Sequence, residues 1–341
     1  MNKNKRVKII AEAGVNHNGE LNLAKKLIDV AVKAGADVIK FQYFKAERVA
    51  SKKAIKAEYQ KKNLPGEVTQ YEMLKKLELS YDQVKTLHKY CTFKNIIFCS
   101  TAFDFNSLLE LDKIGLPFIK IASGEINNHP FLKSISKLNK QIILSTGMST
   151  LKEIKKAIKI LTSGPINKKN ITVLHCNTEY PTPIKDVNLN AMLTIKNALK
   201  VDVGYSDHTL GTDIPIAAVA LGARVIEKHF TLDRNLIGPD HKASLEPNEL
   251  IQMVKSIRNI EMALGNGIKK PSESEIRNIS IARKSIHLFR SVKKGEKINK
   301  EHLISLRPGD GISPMEIPKI LGKQFLKDLK KNQLLKRNDF K

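Results

Sequence analysis

The order of apolar and amphipathic segments predicts a (β/α)8 barrel followed by a small C-terminal domain. Eight short apolar or β-branched runs recur over about the first 230 residues of the 341-residue chain. Helical patterns lie between them, and the pattern changes after Gly265. Eight strand–helix repeats are typical of a closed parallel barrel. An open doubly wound sheet is the alternative, but the count of eight and the absence of a GxGxxG motif favour the barrel.

The eight runs are the predicted strands. Most are nearly continuous in hydrophobicity, as expected for parallel strands that are buried on both faces. They cover 7–14, 38–44, 96–103, 118–124, 141–147, 171–177, 202–208 and 224–230. The second and third runs are unusually far apart, which predicts an inserted loop over 45–70 near the barrel mouth.

Two of the intervening segments show clear helical features. In Leu21–Ala34 the apolar residues fall near one face, as in a helix packed against a core. Leu151–Leu161 is preceded by Thr150, a residue type that caps helix N-termini, and carries Glu153 in its first turn. Both segments are therefore predicted helices.

The C-terminal part of the chain has a different pattern. We predict a catalytic barrel domain over 1–265, a polar linker over 266–281 and a small domain over 282–341. The last contains two strand-like runs, SIHLF and LISLRP, and a short amphipathic helix near 316–321. A domain of this size has a thin core.

Composition excludes several classes of protein. The chain is 41% hydrophobic and 27% charged, which is ordinary for a globular protein. Its net charge of +25 comes from lysines spread along every predicted helix, without an aromatic–basic RNA-binding motif, so no nucleic-acid partner is expected. Apolar runs are too short for a membrane span.

The cysteines and the N-terminus indicate a cytoplasmic protein. Cys91, Cys99 and Cys176 form no CxxC pair, so neither a zinc site nor a disulfide framework is predicted. The basic start of the chain runs directly into the first strand without the features of a signal peptide.

Polar residues are concentrated at the ends of the predicted strands. Barrel active sites are built at the C-terminal ends of the strands, so these residues are expected to meet at one face. They are Glu12, Asn16, His17, Asn18, Lys40, Gln42, Lys120, Ser123, Glu125, Ser145, Thr146, Asn177, Thr178, Tyr180, Ser206, Asp207, His208, Glu227, Lys228 and His229.

Five of these residues suit a bound phosphate. Lys40 and Lys120 supply positive charge, and Ser123, Ser145 and Ser206 supply short hydrogen-bond donors.

His208 and His229 suit a divalent metal, with Glu12 or Asp207 as a nearby ligand or hydrogen-bond acceptor. Two histidines with oxygen ligands favour Mn²⁺, Fe²⁺ or Zn²⁺ over Ca²⁺. Glu125 is the candidate general acid or base, and a position between the two lysines would perturb its pKa strongly. These residues alone predict metal-assisted chemistry on a small phosphorylated substrate.

The motifs that contain these residues resemble, in order and spacing, the bacterial sialic acid synthases. This family includes the N-acetylneuraminate, legionaminic acid and pseudaminic acid synthases. The motifs are AEAGVNHNG, VIKFQ, KIASGE, STGM, CNTEYPTP, GYSDHT, EKHFTLD and GPDHKASL. The tail resembles the family's antifreeze-like (SAF) domain through ARKSI, KKGE, RPGDGISP and LGK. The resemblance covers essentially the whole chain.

The resemblance implies a condensation of phosphoenolpyruvate (PEP) with the open-chain aldehyde of an N-acetylated mannosamine-type sugar. The products are a nine-carbon 2-keto sugar acid and phosphate. N-acetylneuraminate synthase, which uses N-acetylmannosamine, is the first expectation. The alternative is a legionaminic or pseudaminic acid synthase, which uses a 2,4-diacetamido-2,4,6-trideoxyhexose.

The resemblance also implies a role for each matching residue. His208 and His229 would hold the metal, usually Mn²⁺, with Mg²⁺ or Co²⁺ as other possibilities, and Glu125 and Glu12 would act at the reacting centre. The implied PEP-binding residues are Lys40, Lys120, Ser123, Ser145, Ser206 and Thr178, and the implied sugar-binding residues are Gln42, Tyr180, Asp240 and Arg307. Some members carry asparagine at the position of Thr178, so either Thr178 or the preceding Asn177 would make that contact. Arg307 would come from the other subunit of a domain-swapped homodimer.

Two other functions are compatible with parts of the sequence. Lys120 or Lys228 could form a Schiff base in a pyruvate aldolase. The antifreeze-like tail could belong to a non-enzymatic sugar-binding or ice-binding protein, but the tail is rich in Lys and Arg, and the barrel residues are intact.

Overall fold

The structure is a computed structural model that describes residues 6–66 and 69–341. The first five residues of the predicted barrel domain, and residues 67 and 68 of the predicted insertion, lie outside the described residues. The chain forms two compact units, Met1–Gly265 and Asn266–Lys341.

Eight parallel strands form the centre of the first unit and confirm the predicted barrel. They are β1 (Lys8–Gly14), β2 (Val38–Tyr43), β3 (Ile97–Ala102), β4 (Phe118–Ile121), β5 (Gln141–Ser145), β6 (Ile171–Cys176), β7 (Asp202–Asp207) and β8 (Val225–His229). They pair in the order β3-β2-β1-β8-β7-β6-β5-β4. β3 and β4, at the two ends of this order, lie against each other, so the sheet is a near-closed barrel.

Helices surround the strands. They are α1 (Leu21–Ala34), α2 (Ala46–Val49), α3 (Glu58–Asn63), α4 (Gln70–Leu77), α5 (Tyr81–Phe93), α6 (Phe105–Ile114), α7 (His129–Ile135), α8 (Leu151–Leu161), α9 (Asn190–Leu199), α10 (Asp213–Ala220) and α11 (Pro247–Ala263). One large apolar cluster lies between strands and helices, and a smaller one fills the barrel. Among the described residues, no helix is long and apolar enough to cross a bilayer.

Local sequence signals explain where the predicted helices begin and end. In α8 the Thr150 side chain accepts a hydrogen bond from the Glu153 amide, and the Glu153 carboxylate accepts one from the Thr150 amide at 2.7 Å. This reciprocal cap starts the helix at the predicted residue. Helix α1 ends at Ala34 and is capped by Gly35, whose φ of 75° favours glycine.

Two segments differ from the prediction. The predicted fourth strand is too long, because β4 ends at Ile121 and Ser123–Glu125 form a 3-10 turn. The insertion predicted as a loop contains the short helices α2 and α3.

The second unit has its own small core. It contains α12 (Glu273–Ala282), α13 (Ile317–Ile320) and the antiparallel pair β9 (Ser285–Leu288) and β10 (Leu303–Leu306). The predicted linker 266–281 contains most of α12, which begins with a reciprocal cap between Ser272 and Glu275. Turn-forming residues near Pro271 suggested a linker, but they are followed by this capped helix.

Candidate active site

The predicted strand-end residues share the inward face of the barrel. Side chains alternate along a strand, so a residue two positions after an interior apolar residue also faces inward. Ile10, Val38, Phe118 and Val225 belong to the interior cluster. Two positions further along the same strands lie Glu12, Lys40, Lys120 and Glu227. The strand period therefore brings four charged side chains together at the barrel mouth.

These four residues and Ser206 form a buried polar cluster. Lys40 Nζ lies 2.8 Å from Glu12 Oε2 and 3.7 Å from Glu227 Oε2. Lys120 Nζ lies 3.2 Å from Glu227 Oε1, which also accepts a 2.9 Å hydrogen bond from Ser206 Oγ. All five side chains are almost fully buried. Glu227 is thus held between the two lysines.

The cluster separates the pKa values of its carboxyl groups. Burial raises the pKa of Glu12, and Lys40 only partly offsets this. Burial also raises the pKa of Glu227, but Lys120, Lys40 and the Ser206 hydrogen bond outweigh it and lower that pKa overall. For Lys40, burial lowers the pKa, whereas Glu12 and Glu227 more than reverse the effect and raise it. The two lysines therefore face one ionised carboxylate, Glu227, and a second, Glu12, whose charge is disfavoured by burial, a balance that favours an anionic ligand.

The predicted position of Glu125 between Lys40 and Lys120 is wrong. Glu125 does not lie between the lysines; its carboxylate accepts a 2.6 Å hydrogen bond from Asn128 Nδ2. Its pKa is raised by burial and by Asp104, with Asn128 opposing. Glu227, which the sequence placed among the strand-end residues without assigning it a role, holds the position that was expected for Glu125. Because side chains alternate along a strand, the interior position of Val225 predicts that Glu227 also faces the barrel interior.

The other predicted PEP-binding residues meet around Gly147. Ser123 Oγ accepts a 2.9 Å hydrogen bond from the Gly147 amide. Ser145 Oγ is buried and has no hydrogen-bond partner among the described residues, so it is available to a ligand. A Cβ at Gly147 would lie 2.5 Å from Thr178 Cγ2 and 3.1 Å from Ser123 Oγ, so only glycine leaves room for both side chains beside residue 147.

Asn177, the other candidate for the contact assigned to Thr178, is engaged elsewhere. Its Oδ1 accepts a 2.8 Å hydrogen bond from the Glu179 amide. Its backbone carbonyl is the partner of His208 Nδ1. The contact assigned to Thr178 stays a prediction, but the local geometry favours Thr178 over Asn177.

His208 and His229 lie side by side, with ring centroids 5.3 Å apart. Because the Asn177 carbonyl accepts from His208 Nδ1, the lone pair of His208 is on Nε2, which lies 3.0 Å from the Tyr180 hydroxyl. His229 Nδ1 is buried without a hydrogen-bond partner, 4.0 Å from Asp240 Oδ2. Burial lowers the pKa of His208 to about 4 and that of His229 well below its usual value. Both rings are therefore neutral at pH 7.

Two neutral imidazoles, one with an orphaned nitrogen, fit a divalent metal. Within 6–66 and 69–341, no group of three or more His, Cys, Asp or Glu side chains is arranged to hold a metal. The remaining ligands would have to be water or substrate. The expectation that Glu12 or Asp207 assists the metal is not supported, since Glu12 pairs with Lys40 and Asp207 pairs with Lys228.

Two of the four predicted sugar-binding residues, Tyr180 and Asp240, lie next to the histidines. The Tyr180 ring stacks on His208 with centroids 4.0 Å apart. Tyr59, on α3 of the insertion, stacks on the other side of Tyr180 at 4.9 Å and was missed by the sequence analysis. Asp240 is buried, and burial raises its pKa to about 7. Gln42 is half-buried at the end of β2.

Arg307 belongs to the second unit. It is exposed, and its Nε donates a 3.0 Å hydrogen bond to the Ala282 carbonyl. Its contact with the sugar and the domain-swapped dimer stay predictions.

Neither candidate Schiff-base lysine has a free amine. Lys120 is paired with Glu227, and the fully buried Lys228 lies 2.5 Å from Asp207 Oδ2. An amine that is held in an ion pair is a poor nucleophile, so the geometry does not favour an aldolase.

Comparison with known proteins decides the family. The model described as the NeuB family matches residues 27–269, and that of the SAF domain matches residues 283–341. The chain belongs to the NeuB family. The resemblance to sialic acid synthases and the antifreeze-like tail are thereby confirmed.

Individual members of the NeuB family show where this chain lies within it. It is 53% identical to the N,N'-diacetyllegionaminic acid synthase of Campylobacter jejuni, over 97% of this chain and 99% of that protein. It is 48% identical to the enzyme of the same name from Legionella pneumophila, over 94% and 91% of the two chains. A crystal structure of N-acetylneuraminic acid synthetase from Leptospira borgpetersenii has a TM-score of 0.71 and 37% identity, over 81% of this chain and 91% of that one. These identities favour the legionaminic alternative over the first expectation, N-acetylneuraminate synthase.

Proposed function

We propose that this protein is a PEP-dependent synthase that forms N,N'-diacetyllegionaminic acid. The reaction would join PEP to the open-chain aldehyde of a 2,4-diacetamido-2,4,6-trideoxymannose and release phosphate. The higher identity to two synthases of this acid than to the N-acetylneuraminic acid synthetase supports the choice of sugar.

The observation that carries the reaction class is the buried pair of lysines at the barrel mouth. Lys40 and Lys120 both contact the ionised carboxylate of Glu227, and burial disfavours the charge of the second carboxyl group, Glu12, so an anion would be attracted to the cluster. PEP brings a phosphate and a carboxylate, which the lysines would bind as point charges. Ser145, with its unpartnered hydroxyl, would donate to the same oxygens. Ser206 would do so only by turning its hydroxyl away from Glu227, to which it donates in the structure.

The sugar site would adjoin this cluster. His208 and His229 would hold the metal, for which Mn²⁺ is the first candidate and Mg²⁺ or Co²⁺ are alternatives. A divalent ion bound there would polarise the aldehyde carbonyl. Tyr180, Asp240 and Gln42 would position the sugar.

The chain's own residues account for proton movement. C3 of PEP would attack the aldehyde carbon: the C2=C3 π electrons would form the new C–C bond, the C=O π electrons would move to the aldehyde oxygen, and C2 would become electron-deficient. Water would then attack C2, one of its protons would pass through Glu125 to the former aldehyde oxygen, and the bond from C2 to the bridging oxygen would break to give the keto group and phosphate, which takes the other proton. Glu125, whose pKa burial raises, suits the transfer of a proton from that water. Glu12, with its raised pKa, would orient groups at the same centre.

Phosphate release from PEP with Mn²⁺ tests the proposal. We expect release at least about tenfold faster with 2,4-diacetamido-2,4,6-trideoxymannose than with N-acetylmannosamine or its 6-phosphate, a difference of about 1.4 kcal/mol in transition-state binding. Equal or faster release with N-acetylmannosamine would contradict the sugar assignment. No release with any of the three sugars would contradict the reaction.

The Lys40→Met variant tests the proposed anion site. It should lose most PEP binding, whereas the matched variant Lys45→Met, whose partly exposed lysine pairs with Glu78, should behave like the wild type.

A further inference from the structure

The last paired residues of β7 and β8 form a fully buried ion pair on the outer face of the barrel. Asp207 and Lys228 are partners in the strand register, and both side chains are 0% exposed. Each immediately precedes one of the two histidines. Because side chains alternate, Asp207 and Lys228 point away from the barrel interior while His208 and His229 point into it.

The pair also holds the backbone beyond His208. Lys228 Nζ donates to the Thr209 carbonyl at 2.5 Å, as well as to Asp207 Oδ2. Asp207 in turn accepts from the Thr209 amide at 3.1 Å and from its hydroxyl at 3.0 Å. Lys228, the residue before His229, therefore binds both chain neighbours of His208, namely Asp207 and Thr209.

This arrangement matters because the pairing of β7 with β8 stops at Asp207 and Lys228, although His229 is still paired with Glu12 of β1. Adjacent strands are twisted relative to each other, so β7 and β8 are free to diverge beyond the last ladder hydrogen bonds. The histidine rings lie one residue further on, yet their centroids are only 5.3 Å apart. The ion pair and Thr209 supply the cross-strand connection that the ladder no longer provides at this level.

We propose that Asp207, Lys228 and Thr209 are positioning residues that fix the spacing of His208 and His229 for metal binding. Asp207 and Lys228 thus act from the outer face of the barrel. In this role Asp207 is not a metal ligand, and Lys228 does not form a Schiff base. The inference rests on the proposed metal site, and the measurements below separate the two.

The test removes both charges together, because a single substitution would leave an unpaired buried charge. The double variant Asp207→Asn/Lys228→Met keeps an acceptor for the Thr209 amide and similar side-chain volumes. The matched control is Asp37→Asn/Arg258→Met, which removes an ion pair of 2.7 Å at the opposite end of the strands, where the side chains are about a fifth exposed. Metal affinity is measured as Mn²⁺ binding to the free protein by electron paramagnetic resonance, beside thermal unfolding.

We expect the double variant to bind Mn²⁺ about 10- to 100-fold more weakly, the range found when residues that orient metal ligands are replaced. Its KM for the sugar should rise more than its KM for PEP. The control should lose thermal stability but keep its Mn²⁺ affinity. An affinity of the double variant within twofold of the wild type would overturn the proposal.

Thr209→Val provides a milder variant if the double variant does not fold. It removes only the hydroxyl bond to Asp207 and should still weaken Mn²⁺ binding several-fold; unchanged affinity there would also overturn the proposal. If the wild-type protein binds no Mn²⁺ at all, the proposed metal site is wrong instead.

Discussion

Glu12 and Glu227 are identical side chains on neighbouring strands, but their pKa values move in opposite directions. Both are buried, and burial alone would raise both values. The difference is that Glu227 contacts Lys120 and Ser206 in addition to Lys40. The charge states of Glu12 and Glu227 at the barrel mouth are therefore decided by which side chains lie within a few ångströms of each carboxylate. A sequence motif does not specify those contacts.

At the same scale, the His208→Ala variant should lose Mn²⁺ binding and nearly all turnover while remaining folded, because His208 would supply half of the protein's metal ligands. His129→Ala, which removes an exposed histidine at the start of α7, is the control and should change neither property. Isothermal titration with Mn²⁺ and circular dichroism check both variants. Wild-type Mn²⁺ affinity in His208→Ala would contradict the metal assignment.

Asp240 should make the stability of the metal-free protein depend on pH. Burial raises its pKa from 3.8 to about 7, so the folded state holds the proton more tightly than the unfolded state. Its stabilising contribution is complete below about pH 4 and is lost as the pH rises through about 7. Asp240→Asn cannot ionise and should be more stable than the wild type at pH 8, by up to about 4 kcal/mol, with little difference at pH 4.

Thermal unfolding at several pH values measures this effect. Asp202→Asn, which changes an exposed aspartate at the start of β7, should show no comparable pH-dependent difference. A variant less stable than the wild type at pH 8 would show that the Asp240 charge is compensated in the folded protein.

At the scale of elements, the sequence predicted the strands and helices well and the insertion poorly. The buried strands and α1 have strong apolar periodicity, which is independent of what they pack against. Helix α3 has only six residues and no buried side chain, so its apolar pattern is weak. Its importance comes from Tyr59, and the contact of Tyr59 with Tyr180 spans about 120 residues of sequence.

The insertion should influence sugar binding through that contact. Tyr59→Ala removes the ring that covers Tyr180 and should raise KM for the sugar roughly tenfold, equivalent to about 1.4 kcal/mol, with little change in KM for PEP. Tyr59→Phe keeps the ring and should be close to the wild type. Steady-state kinetics with each substrate varied in turn will check this, and Tyr90→Ala on α5 is an aromatic control away from the histidines. A larger increase in KM for PEP than in KM for the sugar would contradict a role of Tyr59 in sugar binding.

At the scale of the whole molecule, each of the two units has its own apolar core. The second unit carries no residue of the buried lysine cluster, and its predicted contribution is the exposed Arg307. Arg307→Ala should raise KM for the sugar about tenfold or more, the loss expected for one hydrogen bond to a charged group. KM for PEP should change much less.

Kinetics of this variant, together with those of a chain that ends at Gly265, test whether the second unit completes the site. Sedimentation measures the oligomeric state of the full chain. Normal sugar affinity without the second unit would refute the domain-swapped arrangement.

The sequence alone determined the barrel and the residues gathered at the strand ends, because strand period and strand polarity follow from local pattern. The SAF-like tail followed from the resemblance of its motifs to a known domain. Only the tertiary structure decided how those residues divide their tasks. It placed Glu227, rather than Glu125, between the lysines and paired Lys228 with Asp207 on the outer face. It also brought Tyr59 over Tyr180. Each of these outcomes depends on contacts between strands or loops far apart in the chain, where a shift of a few ångströms changes the partner and therefore the chemistry.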